Sequence, residues 1–219
     1  MRHCALIPAY NEEKNIARVV RGCLAHCPRV LVVDDASEDN TAIRAADAGA
    51  VVLRHATNVG KGASLDTGFR YLDRACVDGV VTIDSNGRHD PNELPRFFER
   101  AEKGDVDVIV GCGIRYFRDM PWLVHLLNRA ASRLASVLSG QLVMHSQSGF
   151  RWIRKDVWQH AGVTGRRFDA ETQFLINAGK SGFRIAEVPI SLRASGGRGG
   201  SSPLGDVFRF LVFMGKHVL

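Results

Sequence analysis

Short apolar runs alternate with helically spaced ones along most of the chain. "HCALIPAY" is a compact apolar run, and in "NEEKNIARVVRGCLAHC" the residues Ile16, Val19, Val20, Cys23 and Leu24 recur at the spacing of an amphipathic helix. "RVLVVDD" reads as a buried strand that closes on two carboxylates, and "ASEDNTAIRAADAGA" supplies Ser and Asp caps, a helix and a Gly stop. "VVLRH", "GVVTID" and "VDVIVG" read as further strands. Helices are predicted between them, from about Gly60 to Asp73 and from the start of "DPNELPRFFERAEKG". Strands that alternate with helices imply right-handed crossovers and an α/β fold with a mainly parallel, twisted sheet flanked by helices. Ligands of such sheets bind beyond the carboxyl ends of the strands. Asp34, Asp35 and a polar cluster opening at Asp84 all fall there.

A longer helical pattern runs from about Trp122 to Ser139 through Leu123, Leu126, Leu127, Ala130, Leu134, Val137 and Leu138. A helix around "AETQFLINAGKSG" and a strand in "FRIAEVPISL" follow, then a Gly/Ser-rich loop, "RASGGRGGSSPLG". The last stretch, "DVFRFLVFMGKHVL", predicts an amphipathic helix over 205–219, suited to lying on a membrane or on the domain's own core. No apolar run approaches the roughly 20 residues needed to cross a bilayer.

With 45% hydrophobic and 24% charged residues in 219, the chain reads as one globular domain. Its net charge of +6 favours anionic partners: nucleotides, phosphorylated lipids or a membrane surface. No basic run interleaved with aromatics stands out, so nucleic acid is not an expected partner. Five scattered cysteines without a signal-peptide pattern point to a reducing, cytoplasmic location. Cys23, His26 and Cys27 share one helical turn, but no second pair follows at a zinc-like spacing, which favours core packing.

The chemistry concentrates in "TIDSNGRHDP". A β-branched run ends on Asp84, and an amide, a guanidinium, an imidazole and a second carboxylate follow within six residues. That set suits a metal site, a phosphate site or a polar turn before a helix. "NVGKGASLDTG" places Gly60 and Gly62 around Lys61 at a helix start, where amides and a cation favour phosphate. It lacks the spacing of a P-loop. The first strand is followed by neither G-x-G-x-x-G nor a Gly-rich, Arg-containing loop, which disfavours a dehydrogenase and a nucleotidyltransferase.

In order, "LIPAYNEEKNI", "VVDDASEDNT", "NVGKGASLDTGF", "TIDSNGRHDP", "QSGFR" and "AETQFLINAGKSGFRIAEVPI" resemble blocks of the family 2 glycosyltransferases. The resemblance is to the branch of dolichyl-phosphate mannose synthases and bacterial polyprenyl-phosphate glycosyltransferases. It implies a single GT-A catalytic domain, with about 1–111 binding the nucleotide, 112–204 facing the acceptor, and 205–219 as a C-terminal amphipathic helix. It also implies inverting transfer from a nucleoside-diphosphate sugar, GDP-mannose or a UDP-hexose. By the same resemblance Pro8, Tyr10 and Glu12 line the nucleoside pocket, while Val33 and Asp35 contact base and ribose. A carboxylate suits that contact because it accepts two hydrogen bonds. Lys61, Ser85 and Arg167 are expected on the donor, Arg115 on its phosphates, and Gln147, Ser148, Arg151 and Glu171 near the transferred sugar and the acceptor.

The family usually reads Asp-x-Asp-x-Gln where this chain has Asp84, Asn86 and Arg88. The resemblance implies Mg or Mn, with Asp84 and Asn86 as the candidate ligands. The two replacements shift the site by about two positive units, roughly what a divalent cation would bring. Metal dependence is therefore expected to be weak or absent, with Arg88 sharing the neutralisation of the leaving diphosphate. The alternative is that Asp84, with His89 or Asp90, still holds a hard cation.

His145 stands where an Asp often precedes "QSGFR" in the family. The family's basic loop reads "GGSSP", with Arg193 and Arg198 as substitutes, and no arginine between Pro121 and Asn128 matches the lipid-phosphate contact. The expected activity is sugar transfer to polyprenyl phosphate at the cytoplasmic membrane face, with peripheral contact through the C-terminal helix. Two alternatives stand beside it. One is a soluble or glycan hydroxyl acceptor served by Asp90, His89 or His145 as base. The other is a nucleotide-sugar-binding protein with a degenerate metal site.

Overall fold

Strand β1 (His3–Ala9), buried along its whole length, is the pivot of a seven-stranded sheet. In the computed structural model, which describes residues 1–113, 122–162 and 169–192, it pairs in parallel with β2 (Val30–Asp34) on one side and β4 (Gly79–Thr82) on the other. Beyond β2 lies β3 (Val51–Arg54), also parallel. The full order is β3-β2-β1-β4-β6-β5-β7, with β5 spanning Val108–Gly113, β6 Arg151–Arg154 and β7 Ile185–Ile190.

Helices cover both faces, as the alternating pattern requires. One face packs against α1 (Ile16–Leu24), α2 (Thr41–Asp47) and α4 (Leu94–Glu102), and buries Ile16, Val19, Val20 and Cys23 as their spacing predicts. The other packs against α3 (Lys61–Asp73), α5 (Trp122–Ser139), α6 (Lys155–Ala161) and α7 (Asp169–Lys180). Cys23 and Cys27 sit inside the first core, and burial pushes their thiols well above the ordinary range. They are packing residues, not ligands.

Two details depart from the simplest expectation. The helix predicted from "DPNELPRFFERAEKG" is split into a 3-10 turn (Pro91–Glu93) and α4, because Pro95 has no amide hydrogen to donate to the Pro91 carbonyl of a continuous helix. The sheet is also interrupted by β6, which runs antiparallel between β4 and β5. That reversal turns the start of β6 toward the carboxyl end of β4, so Thr82 pairs with Arg151. Arg115, Arg167, Arg193, Arg198 and the expected helix over 205–219 lie outside the described residues. No described helix is long and apolar enough to cross a membrane.

Candidate active site

The loops after β1 and β2 are laced together. Asn11 N–H donates to Ser37 Oγ (2.9 Å), Glu38 N–H to Asn11 Oδ1 (2.8 Å) and Glu12 N–H to Thr41 Oγ1 (2.8 Å). Asn11 and Ala36 take left-handed backbone conformations, φ 53° and 61°, which non-glycine residues adopt at a cost. Pro8 and Val33 are buried on neighbouring strands in register with one another, Tyr10 is exposed beside them, and Glu12 accepts from the Asn15 amide at 2.9 Å.

Asp34 is a turn residue: it accepts from Ser37 N–H (3.3 Å) and pairs with Arg54 (3.1 Å). Asp35 does something the chain's linear order does not disclose. Its carboxylate accepts from Val59 N–H (3.0 Å), Gly60 N–H (2.7 Å) and His55 Nδ1 (2.8 Å), while His55 Nε2 lies 2.9 Å from Thr67 Oγ1. The expected base and ribose contact is thus already engaged in holding the loop that begins α3. Hydrogen bonds to a charged group are worth about 1.5–3 kcal/mol each, enough to fix where Lys61 projects.

Lys61 projects between two carboxylates. Its Nζ is 2.5 Å from Asp84 Oδ1 and 2.8 Å from Glu171 Oε1. Glu171 is buried at the start of α7, and Arg151 fixes that helix end by donating from Nη1 to the Glu171 carbonyl (2.8 Å). Arg151 also donates to the carbonyls of Ser148 and Ser146, both at 2.7 Å. All three contacts are to main chain, so this expected sugar contact acts as the bracket of the "QSGFR" turn. Ser148 Oγ accepts weakly from Phe150 N–H at 3.4 Å, and Gln147 is half-buried in the same turn.

Gly149 completes the arrangement. A Cβ there would overlap Asp84 Oδ1 and lie 2.8 Å from Lys61 Nζ, so any side chain at this position has to push the ion pair aside. Its carbonyl accepts from Thr82 Oγ1 at 3.0 Å.

The electrostatics follow from this geometry. Burial opposes charge on Lys61, but Asp84 and Glu171 outweigh it and hold the ammonium above its usual range. Burial would likewise raise the Asp84 carboxyl, yet Lys61, then His89 and Arg88, hold it well below the ordinary carboxylate range. His89 is buried, with Nδ1 3.6 Å from Asp84 Oδ2 and no hydrogen-bond partner for that atom among the described residues. Desolvation lowers its pKa despite the pull of Asp84. Asn86 Oδ1 accepts from Arg88 N–H (3.0 Å), and Asp90 caps the 3-10 turn by accepting from Asn92 N–H (3.1 Å). Ser85 is buried between them and Asp84.

These contacts test the divalent metal that the resemblance implies. Asn86 offers a neutral oxygen already used in its own turn, Asp90 is a helix cap, and the place between Asp84 and Glu171 is filled by an ammonium. A hard cation would find the Asp84 carboxylate and the donor's own phosphates as ligands, with the Lys61 ammonium competing for the same carboxylates. Of the expected pair of ligands, Asp84 is here the counter-ion of Lys61, and Asn86 Oδ1 accepts from Arg88 N–H within its own turn.

Residues 4–162 match the family model Glycosyl transferase family 2. The chain belongs to that family. A polyprenol monophosphomannose synthase of Mycolicibacterium smegmatis is 31% identical over 206 residues, covering 87% of this chain and 77% of that protein. A UDP-N-acetylglucosamine–dolichyl-phosphate N-acetylglucosaminyltransferase of Methanococcus voltae is 28% identical over 208 residues, covering 84% and 83%. In three dimensions the chain is similar to glucosyl-3-phosphoglycerate synthase from Mycobacterium tuberculosis, solved with Mn2+, uridine diphosphate and phosphoglyceric acid. The TM-score is 0.78 at 22% identity, over 99% of this chain and 78% of that one. The fold is therefore GT-A, and the protein is a glycosyltransferase.

Proposed function

We propose that this glycosyltransferase inverts the anomeric centre of a sugar, taken from GDP-mannose or a UDP-hexose, onto a polyprenyl phosphate at the cytoplasmic membrane face, without a divalent metal. The observation that carries the metal-free reading is the Lys61 ammonium lodged between Asp84 and Glu171. It cancels the carboxylates that would otherwise repel the diphosphate. Arg88 adds a guanidinium within electrostatic reach of Asp84, and its planar fork matches phosphate oxygens. Arg115 and Arg167 are assigned to the donor phosphates on the family resemblance, and 1–111 and 112–204 to the nucleotide and acceptor sides of one catalytic domain.

In the proposed step an acceptor phosphate oxygen forms a bond to the anomeric carbon. The bond from that carbon to the donor's β-phosphate oxygen breaks, and the nucleoside diphosphate leaves with the electron pair. A phosphate is already an anion near neutral pH, so the step needs no general base. Two of the candidate bases are otherwise engaged, which supports this acceptor class: Asp90 caps a turn, and His145 faces Cys112 and Glu187. The family relatives that act on dolichyl phosphate and polyprenol support it independently.

The test incubates metal-stripped protein with labelled GDP-mannose and UDP-hexoses, using polyprenyl phosphate in detergent and then a glycan hydroxyl acceptor. The expected result is label in the lipid without added Mg or Mn, and about a 10²- to 10³-fold lower rate for Arg88→Ala, the range for one transition-state charge contact. Strict restoration by Mg or Mn would overturn the metal-free reading, and label only in the glycan would overturn the acceptor. Donor binding with no transfer at all would overturn the assignment of activity.

A further inference from the structure

A second cluster of chemically capable side chains lies at the far end of the sheet, apart from Lys61 and its carboxylates. Cys112 near the end of β5 and Glu187 on β7 share a sheet face. The two strands are parallel, with Val110 opposite Glu187, and Cys112 follows Val110 by two residues. His145, in the turn before "QSGFR", reaches over both: its Nε2 is 3.5 Å from Cys112 Sγ and its Nδ1 is 3.3 Å from Glu187 Oε2. One donor atom from each residue falls within 4.8 Å of the other two.

From these positions we infer that Cys112, His145 and Glu187 form a site for Zn2+. Three donor atoms all within 4.8 Å of one another have a point no more than about 2.8 Å from each, against about 2.0–2.3 Å for zinc bonds, so an inward shift of about half an ångström closes the site around one ring nitrogen of His145. The donor types choose the metal. A thiolate, an imidazole and one carboxylate oxygen suit Zn2+ and disfavour Mg2+ and Mn2+, which prefer oxygen ligands throughout.

The carboxylate is already aimed. Glu187 Oε1 accepts from the backbone N–H groups of Met144 (2.7 Å) and His145 (2.9 Å), which leaves Oε2 turned toward the cluster. Burial, and then Glu187, holds the Cys112 thiol above its ordinary range without metal. Zinc therefore binds with release of that proton to solvent. Three protein ligands leave a fourth position for water or an added ligand.

The consequence is local order on the acceptor side. The metal would cross-link the end of β5 and the middle of β7 to residues 144–146, and so hold the turn that sets Gly149 over the Lys61 ion pair. This site is independent of the metal-free donor chemistry proposed above, and it is read by metal content and spectrum, not by transfer.

The experiment loads the full chain with ZnCl2, removes free metal by gel filtration and measures zinc per chain. The expected result is close to one zinc for the protein and for the control Cys76→Ser, whose thiol is exposed elsewhere, falling below about a tenth for Cys112→Ser and for His145→Ala. Loading with Co2+ instead should give a thiolate-to-cobalt charge-transfer band in the near ultraviolet. That measurement is made on the unaltered chain and so does not depend on a variant folding. No retained zinc and no such band, or full zinc retention in folded Cys112→Ser, would overturn the site.

Discussion

Replacing Lys61 by Met keeps an unbranched side chain only one atom shorter and removes its charge. Glu171, whose side chain is 4% exposed, then loses its cation, and Asp84 loses its strongest partner. Breaking a buried pair by deleting one member costs about 3–5 kcal/mol. Asp84 at 22% and Lys61 at 29% exposure are partly screened by water, which places the loss near the lower end, about 3 kcal/mol. For a chain of this size each kcal/mol lowers Tm by about 2–4 °C, so Lys61→Met should melt about 6–12 °C below the parent.

The same substitution leaves two carboxylates facing one vacated space, which is the start of a hard-cation site. Mn2+ at about 100 times its Kd would return about 2.7 kcal/mol, most of the loss, whereas the parent, with its ammonium in place, should gain nothing comparable. Thermal unfolding followed by circular dichroism at pH 7, with and without Mn2+, reads both effects. A variant melting within about 2 °C of the parent, less than the shift expected for 1 kcal/mol, would refute the ion-pair reasoning. So would Mn2+ raising the parent as much as the variant.

Two other outcomes follow from the same geometry. Gly149→Ala places a methyl against Asp84 Oδ1 and Lys61 Nζ, and should cost about 1–3 kcal/mol and lower transfer more than donor affinity; parental kinetics would count against the turn's role. For pH, burial holds His89 below its usual range, so the unfolded chain binds a proton that the folded chain refuses. Stability should therefore fall as pH drops from about 6.5 through the lower folded value, and His89→Gln should flatten that limb to the share contributed by His3, which burial lowers in the same sense. Asp84 has a depressed pKa, so its contribution persists above its unfolded value and is lost only as pH falls toward about 2, well below the His89 limb. Urea midpoints from about pH 2 to 8 would separate the two, and an unchanged limb in His89→Gln would contradict the assignment.

Much of the fold was legible because its signals are local. The apolar spacing from Trp122 to Ser139 predicts a helix with the bounds observed for α5, and the runs before Asp34 and Asp84 end as strands at the carboxyl edge of the sheet. The polar residues near Asp84 were legible as a group but not by role. Asn86 and Asp90 make bonds to amides two residues away, an outcome that residue type alone does not separate from ligation. His55 and Cys112 carried no signal in the linear order, and Gly149 and Glu187 lay in motif blocks without a legible role, since each acts through a partner brought from another strand or helix.

The residue pattern by itself determined the α/β alternation, the parallel strands around β1 and membership of a glycosyltransferase family, because periodicity and motif order are properties of neighbouring residues. Only the tertiary structure decided the charge arrangement of the site. The antiparallel insertion of β6 sets Arg151 beside Thr82, Arg151 holds the start of α7, and Glu171 thereby meets a lysine that Asp35 has positioned from the other side. Coulomb interactions and hydrogen bonds depend on separation in space, which the order of residues along the chain does not specify.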